Sequence, residues 1–321
     1  MNKEKIAVLM GGRSLEREVS LKSGERVCQE LESLGYKVLP LDLSPTLVQT
    51  LRSERPDACY IALHGRYGED GAIQELLEFL GVPYTGPGVI SSALAWDKSL
   101  AKRLFAEHDI PTPPWVSLTA DAFKQMGAAS ALDLVVESTG PFPLAVKPAK
   151  QGSALGLSRV DSADRLAEAL LTALSYDDAA IIEKWVEGRM IAVSVFDGPE
   201  GPQPLPPVEI APKSGIFDFA SMYTAGETEY FVPARLDEAV MSRVRECAIA
   251  VHTLLECRDV SRVDMIVDPA GGLHVLECNT SPGMTETSLL PMAAQAVGLS
   301  LADVVGRLTA AALARGAGKK R

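Results

Sequence analysis

Near the C-terminus, charged and polar residues recur at every second position: Arg262 and Asp264, then Glu277 and Asn279. Alternate residues of a strand share a face, and the intervening Val263, Met265, Leu276 and Cys278 are apolar. Pro-Ala-Gly-Gly at 269–272 supplies a turn. A hairpin paired about that turn sets Asp264 opposite Glu277, so that two carboxylates, an amide and a guanidinium converge. Two like charges require a cation, and an all-oxygen donor set suits magnesium, which keeps waters and phosphate oxygens as its other ligands. A solvated polar face on an ordinary hairpin shows the same alternation.

A second cluster surrounds Lys147. The loop Gln151-Gly-Ser-Ala-Leu-Gly156 follows it and can fold backbone amides over phosphates, although the Gly-Lys-Ser/Thr order of a Walker loop is missing. Lys98 is a further phosphate-ligand candidate. The apolar run 181–186 ends in Glu183, Lys184 and Val186, which can present a carboxylate and backbone groups to an adenine edge in an interdomain cleft. The plainer alternatives are a flexible surface turn and an edge strand capped by an ion pair. Farther on, the hydroxyl-rich stretch 279–291 leads into a helix expected to begin at Ser288 and Leu289, where backbone N–H groups attract a carboxylate.

Other chemistries find little support. Gly11-Gly12 lacks the third glycine of a dinucleotide fingerprint, no hydrolase nucleophile motif is present, and four histidines stand in no metal-ligand spacing. Five dispersed cysteines without a Cys-x-x-Cys pair read as buried, reduced thiols. The net charge of −11 opposes binding to nucleic acid or to anionic membrane surfaces. No stretch reaches the roughly 20 apolar residues of a membrane span, and the N-terminus passes straight into an apolar run with no leader pattern, so the expected location is the cytoplasm.

The elements that must position these residues follow an α/β pattern. Strands are expected over 6–10, 36–41 and 57–63, helices over 20–34 and 72–80, and one long helix to about residue 108. Proline at 111, 113 and 114 forbids helix there. Next come strands 143–147, up to 160, and 179–185, with a helix over 162–174. Strands 191–196 and 205–210, an irregular stretch over 211–233, a helix over 236–256 and the hairpin 262–279 complete the chain. The long irregular stretch reads as a lid. The expected division is 1–97, an N-terminal substrate-binding domain with a parallel sheet; 98–185, a small central domain; and 186–321, a C-terminal domain carrying the magnesium site and the lid.

Taken together, four motifs resemble the D-alanine–D-alanine ligases, which are ATP-grasp enzymes: Gly-Gly-x-Ser-x-Glu-Arg-Glu-Val-Ser at 11–20, His-Gly-x-x-Gly-Glu-Asp-Gly at 64–71, Arg-x-Asp at 262–264, and Glu-x-Asn-Thr-x-Pro-Gly-Met-Thr at 277–285. The resemblance runs along essentially the whole chain. It implies a three-domain α/β architecture with α+β elements, ATP held between the last two domains. The implied reaction joins two D-alanines through a D-alanyl phosphate for peptidoglycan synthesis. Glu16 would meet the amino group of the first D-alanine, Ser153 and Tyr223 would form a hydrogen-bonded link closing the loops, and His64 would line the same pocket. Arg262 would stabilise the transferring phosphoryl, and Gly283 would offer an amide to the oxyanion. Ser288 and Leu289 would take the carboxylate of the second D-alanine. Lys98, Lys147, Glu183, Lys184 and Val186 correspond to ATP contacts, and Asp264, Glu277 and Asn279 to ligands of two magnesium or manganese ions. A homodimer through the first domain is implied as well.

Two positions depart from the family pattern: Met190 stands where a ribose-binding Glu is common, and Met222 where a phosphate-reaching Lys is usual. The expected consequence is weaker nucleotide affinity or slower transfer rather than loss of activity. Thr287 replaces a histidine found in some members. The alternatives are a relative using D-serine or D-lactate as second substrate and a nucleotide-binding protein with impaired catalysis. Tyr223 argues against the lactate version, since ester-forming members replace it.

Overall fold

The computed structural model describes residues 4–215, 217, 221, 222, 224 and 226–319. Tyr223 lies outside them. The N-terminal part contains β1 (Lys5–Met10), α1 (Arg17–Ser33), β2 (Lys37–Asp42), α2 (Leu47–Glu54), β3 (Ala58–Ile61), α3 (Ala72–Leu80), α4 (Val89–Trp96) and α5 (Lys98–Glu107). Its sheet is parallel in the order β2-β1-β3. Central β1 is covered on both faces, so its run Ile6–Leu9 is uniformly apolar and has no exposed surface.

The expected long helix up to residue 108 is two helices. Asp97 breaks it: its carboxylate accepts from the Ser99 and Leu100 amides, at 3.0 and 3.2 Å, and N-caps α5. This turn sets Lys98 at the head of a helix pointing into the molecule.

The central part contains β4 (Trp115–Thr119), α6 (Ala120–Met126), α7 (Ala128–Thr139), β5 (Leu144–Pro148), β6 (Ser158–Val160), α8 (Leu166–Leu174) and β7 (Ala179–Lys184). Its antiparallel sheet runs β4-β7-β5-β6. β7 is therefore interior, which removes the edge-strand reading of Glu183. Helices α2, α6 and α7, and the last helix over Leu301–Lys319, go unannounced in the sequence pattern.

The remainder contains β8 (Arg189–Gly198), β9 (Gly201–Pro204), β10 (Val208–Pro212), β11 (Thr228–Phe231), α9 (Glu238–Leu254), β12 (Val260–Val267), β13 (Leu273–Asn279), α10 (Leu289–Gln295) and α11 (Leu301–Lys319). Its sheet order is β11-β10-β8-β12-β13, with β9 on β8. The stretch 211–233 is less irregular than expected, because Thr228–Phe231 returns to pair antiparallel with β10.

Separate apolar clusters hold the parts. Leu144, Val146, Leu170 and Ile182 fill the central one. Val193, Val244, Val251, Val263 and Met265 fix the hairpin β12-β13 against α9. Ile6, Val8, Leu31, Leu290, Val304 and Leu308 join the first sheet to the last two helices. Of the cysteines, Cys28, Cys59 and Cys278 are buried and free, but Cys247 and Cys257 are only half-buried.

Candidate active site

The β12-β13 hairpin forms as its alternation requires: Asp264 pairs with Glu277, and Arg262 with Asn279. A bulge after Asp264 shifts the register, so that Met265 faces Val275. Leu276 consequently does not join the buried apolar side with Val263, Met265 and Cys278, and instead lines the cavity beside Glu277.

Positive groups flank the carboxylate pair. Arg262 donates to Asp264 through Nε and Nη2, at 2.8 and 2.6 Å. Lys98 Nζ lies 3.2 Å from Glu277 Oε2 and donates to the Gln151 carbonyl at 2.7 Å. Burial, reinforced by Glu277, makes Asp264 hold its proton more tightly than usual. Burial pushes Glu277 the same way, but Lys98 and Lys147 outweigh it and hold it below the usual range. Among the described residues no group of three His, Cys, Asp or Glu is placed to hold a metal. The donor set is two facing carboxylates and the Asn279 amide, whose Oδ1 accepts from the Ser281 amide at 2.9 Å. Such an oxygen set fits a magnesium ion that keeps phosphate and water ligands.

Beside Lys147, Glu183 is buried between two ammonium groups. Lys147 Nζ lies 2.6 Å from Oε1 and Lys102 Nζ 2.7 Å from Oε2. Burial opposes its ionisation, yet Lys102 and Lys147 hold its carboxyl at about 2. Lys184 reaches back to the Pro141 carbonyl at 2.5 Å, and Val186 lines the cavity next to Trp185 and Glu187. Met190 and Met222 line it too, in the company of Ile210, Phe217, Ile266 and Leu276, so an apolar wall stands at this end.

At the opposite end, Glu16 is 5% exposed, and the Ser153 hydroxyl donates to its Oε1. Burial and then the neighbouring Glu69 raise its carboxyl to about 7, while Ser153, His64 and Lys98 work against the rise. Among the described residues its Oε2 has no hydrogen-bond partner. His64 Nδ1 lies 3.5 Å from Glu69, and Nε2 is 3.0 Å from Ser23 Oγ, which accepts from the Met284 amide. Helix α1 is thereby stitched to the final loop. Ser153 and Ala154 sit at φ 53° and 52°, left-handed backbone that non-glycine residues avoid, which concentrates strain in the loop that meets Glu16.

Ser288 is the N-cap of α10 and Leu289 its first residue, as expected. The Ser288 hydroxyl accepts from the Thr285 amide at 2.9 Å. A side chain at Gly283 would fall 2.6 Å from Ser288 Oγ, so the Ser288 hydroxyl would have to move to admit one.

One cavity of about 280 Å³ unites these ends. Glu16, His64, Lys98, Lys147, Ser153, Glu183 and Lys184 line it from the first two parts of the chain. Val186, Arg262, Asp264, Glu277, Asn279, Gly283, Ser288 and Leu289 line it from the third. Two neighbours carry weak sequence signals: Glu69, whose position beside His64 and Glu16 depends on the fold, and Lys102, whose spacing of four from Lys98 marks a shared helix face.

The chain matches the family models described as D-ala D-ala ligase C-terminus, over residues 104–310, and D-ala D-ala ligase N-terminus, over residues 47–87. It is 42% identical over 315 residues to the D-alanine–D-alanine ligase of Syntrophotalea carbinolica, covering 98% of each. Among solved structures, the Bacillus anthracis D-alanine–D-alanine ligase complexed with ATP matches at a TM-score of 0.80 and 32% identity, with 98% of this chain and 99% of that one covered. The VanG D-Ala:D-Ser ligase of Enterococcus faecalis matches at a TM-score of 0.81 and 28% identity, with 96% and 99% covered. Whole-length identity, the shared architecture and the family models agree: the chain belongs to the D-alanine–D-alanine ligase family and has the ATP-grasp fold.

Proposed function

We propose that this protein is an ADP-forming ligase that joins two D-alanines into D-alanyl-D-alanine for peptidoglycan synthesis. The observation that carries the reading is the single cavity in which Lys98, Lys147 and Arg262 surround the Asp264–Glu277 pair at one end and Glu16 with Ser153 occupies the other. A carboxylate attacks the γ-phosphate of ATP only if mutual repulsion is offset, and three cationic side chains supply that field. Magnesium held by Asp264, Glu277 and Asn279 would neutralise further phosphate charge when bound.

In this reading Glu16 pairs with the ammonium of the first D-alanine, and His64 supports it. Lys98, Lys147, Glu183, Lys184 and Val186 hold ATP. Arg262 and the Gly283 amide stabilise charge on the transferring phosphoryl and on the tetrahedral intermediate. Ser288 and Leu289 receive the carboxylate of the second D-alanine, whose amine attacks the acyl phosphate and expels phosphate. The segment 211–233, carrying Tyr223, closes as a lid, since an acyl phosphate must meet the amine before water does. Domains divided at 97/98 and 185/186 would move on such closure. A cytoplasmic homodimer through the first domain completes the proposal; among the described residues no helix is long and apolar enough to cross a membrane.

Incubation with ATP, magnesium and D-alanine, followed by mass spectrometry for the dipeptide, tests the reading. D-serine and D-lactate run alongside as acceptors. Dipeptide from D-alanine alone supports it. Phosphate release with product only when D-serine or D-lactate is added moves the second substrate, and no turnover with any acceptor overturns it.

A further inference from the structure

Lys102 has no role in the assignments above. It follows Lys98 by one turn of α5, has no exposed surface, and stands behind Glu183 as seen from the cavity, which it does not line. Lys147 lies on the near side of the same carboxylate. Two ammonium groups thus share one buried Glu, at 2.7 and 2.6 Å.

A single lysine would neutralise Glu183, and burying a second cation carries a desolvation penalty. The arrangement makes sense if one of the two has to leave. Lys147 reaches the cavity where nucleotide phosphates are proposed to sit, and an ammonium that turns to a phosphate gives up its hold on Glu183. The carboxylate, 3% exposed, would then be a buried charge without a partner, the costly case for an ion pair. Lys102 removes that cost. Its Nζ is seated by Thr112 Oγ1 at 2.6 Å, and that hydroxyl donates to the Val275 carbonyl at 2.8 Å. Lys102 is therefore fixed to β13 and the proline-rich linker and has nowhere else to go.

We infer that Lys102 is a positioning residue, the standing counter-ion of Glu183 that keeps this carboxylate ionised and seated when Lys147 transfers to the phosphates of the nucleotide. Burial and Lys147 of β5 pull the Lys102 ammonium down to about 8, while Glu183 of β7 and Glu277 of β13 act to keep its proton. Both lysines hold Glu183 ionised against its burial.

The inference rests on the nucleotide reading, and the experiment separates the two. ATP, ADP and adenosine are titrated calorimetrically into the full chain and its Lys102→Met variant, which keeps length but not charge. Loss of a buried partner predicts at least about tenfold weaker binding of ATP and ADP. Adenosine, which never calls Lys147 away from Glu183, should bind within about twofold of wild type, a change under half a kcal/mol. Lys102→Arg should recover part of the ATP affinity. Thr112→Val, which removes only the hydroxyl seating Nζ, should show the same ATP-selective loss in weaker form, and it decides the matter if Lys102→Met fails to fold. Equal losses for adenosine and ATP would assign Lys102 a purely structural role and overturn the inference, as would unchanged ATP binding. Wild-type protein that binds neither ATP nor adenosine would remove the nucleotide reading itself.

Discussion

The Ser153 hydroxyl donates to the Glu16 carboxylate across 137 positions of the chain, joining the glycine-containing loop after β5 to the head of α1. This bond works to lower a carboxyl that burial and Glu69 have raised to about 7. Glu16 is thus poised to change charge near neutrality, at the place proposed for a substrate ammonium.

The first prediction is a pH dependence. Protonated Glu16 does not pair with an ammonium, so kcat/KM for D-alanine at saturating ATP should rise with pH up to about 7 and level off above it. Below the midpoint the slope approaches about tenfold per pH unit. Glu16→Gln should lower the plateau and flatten the profile over the same range. The stability sign is opposite. A carboxyl raised in the folded state contributes stability that is full below the unfolded value of 4.5 and is lost as pH rises through about 7. Glu16→Gln should accordingly raise Tm at pH 8 relative to wild type more than at pH 4.5.

Removing the serine hydroxyl gives a second test. Ser153→Ala deletes a bond that favours the ionised form, so the midpoint of the D-alanine profile should move to higher pH. ATP affinity should change little, because the substitution removes only the hydroxyl and leaves the backbone amides of the loop in place. Initial rates across pH 6–9 read the shift, and an unmoved midpoint would show that the bond does not tune Glu16.

Gly65 bounds the same carboxylate. It sits at φ +72°, and a Cβ there would stand 2.3 Å from Glu16 Oε2. Gly65→Ala should cost about 1–3 kcal/mol from strained backbone alone and displace Glu16 as well. Thermal unfolding should register the first effect, and a raised KM for D-alanine with unchanged KM for ATP the second.

At the carboxylate pair, Glu277→Gln should remove nearly all turnover, by about a thousandfold or more, as losses at phosphoryl-transfer centres commonly do. The fold should persist, since the substitution relieves like-charge repulsion with Asp264. ADP release and circular dichroism together check it; near-normal ligation would sink the assignment of this pair.

What could be read from sequence follows from the range of the forces involved. The pairing of Asp264 with Glu277 was legible because period-two alternation flanks a Gly-rich turn, both local features. The bulge that turns Leu276 to the cavity was not, since nothing in the strand's own residues marks the skipped position. Lys102 reads in sequence as one more charge on a helix, and only the packing of α5 against β7 and β13 makes it a buried ion. Asp97 splits the helix at 97 by capping, a signal present in the sequence but masked by the apolar run before it. Glu69 lies within a motif, yet its electrostatic effect on Glu16 depends on the distance between two loops.

The last prediction concerns the end of α11. Arg315 of α11 binds Asp259 through both nitrogens at 2.7 Å and also donates to the Tyr84 carbonyl at 2.6 Å. Asp259, almost fully buried at φ 64°, accepts from the Gly86 amide, and Arg258 donates to the Gly86 carbonyl. The last helix therefore clamps the loop between α3 and α4 to the start of β12, the strand that carries Arg262 and Asp264. Arg315→Ala would leave Asp259 a buried charge with one amide partner, a loss of about 2–4 kcal/mol once the partial exposure of the arginine is allowed for. Urea midpoints should show it, and a double variant Arg315→Met with Asp259→Asn should recover part of the loss by removing the orphaned charge. If the single and double variants unfold at the same midpoint, the ion pair is not what holds the clamp.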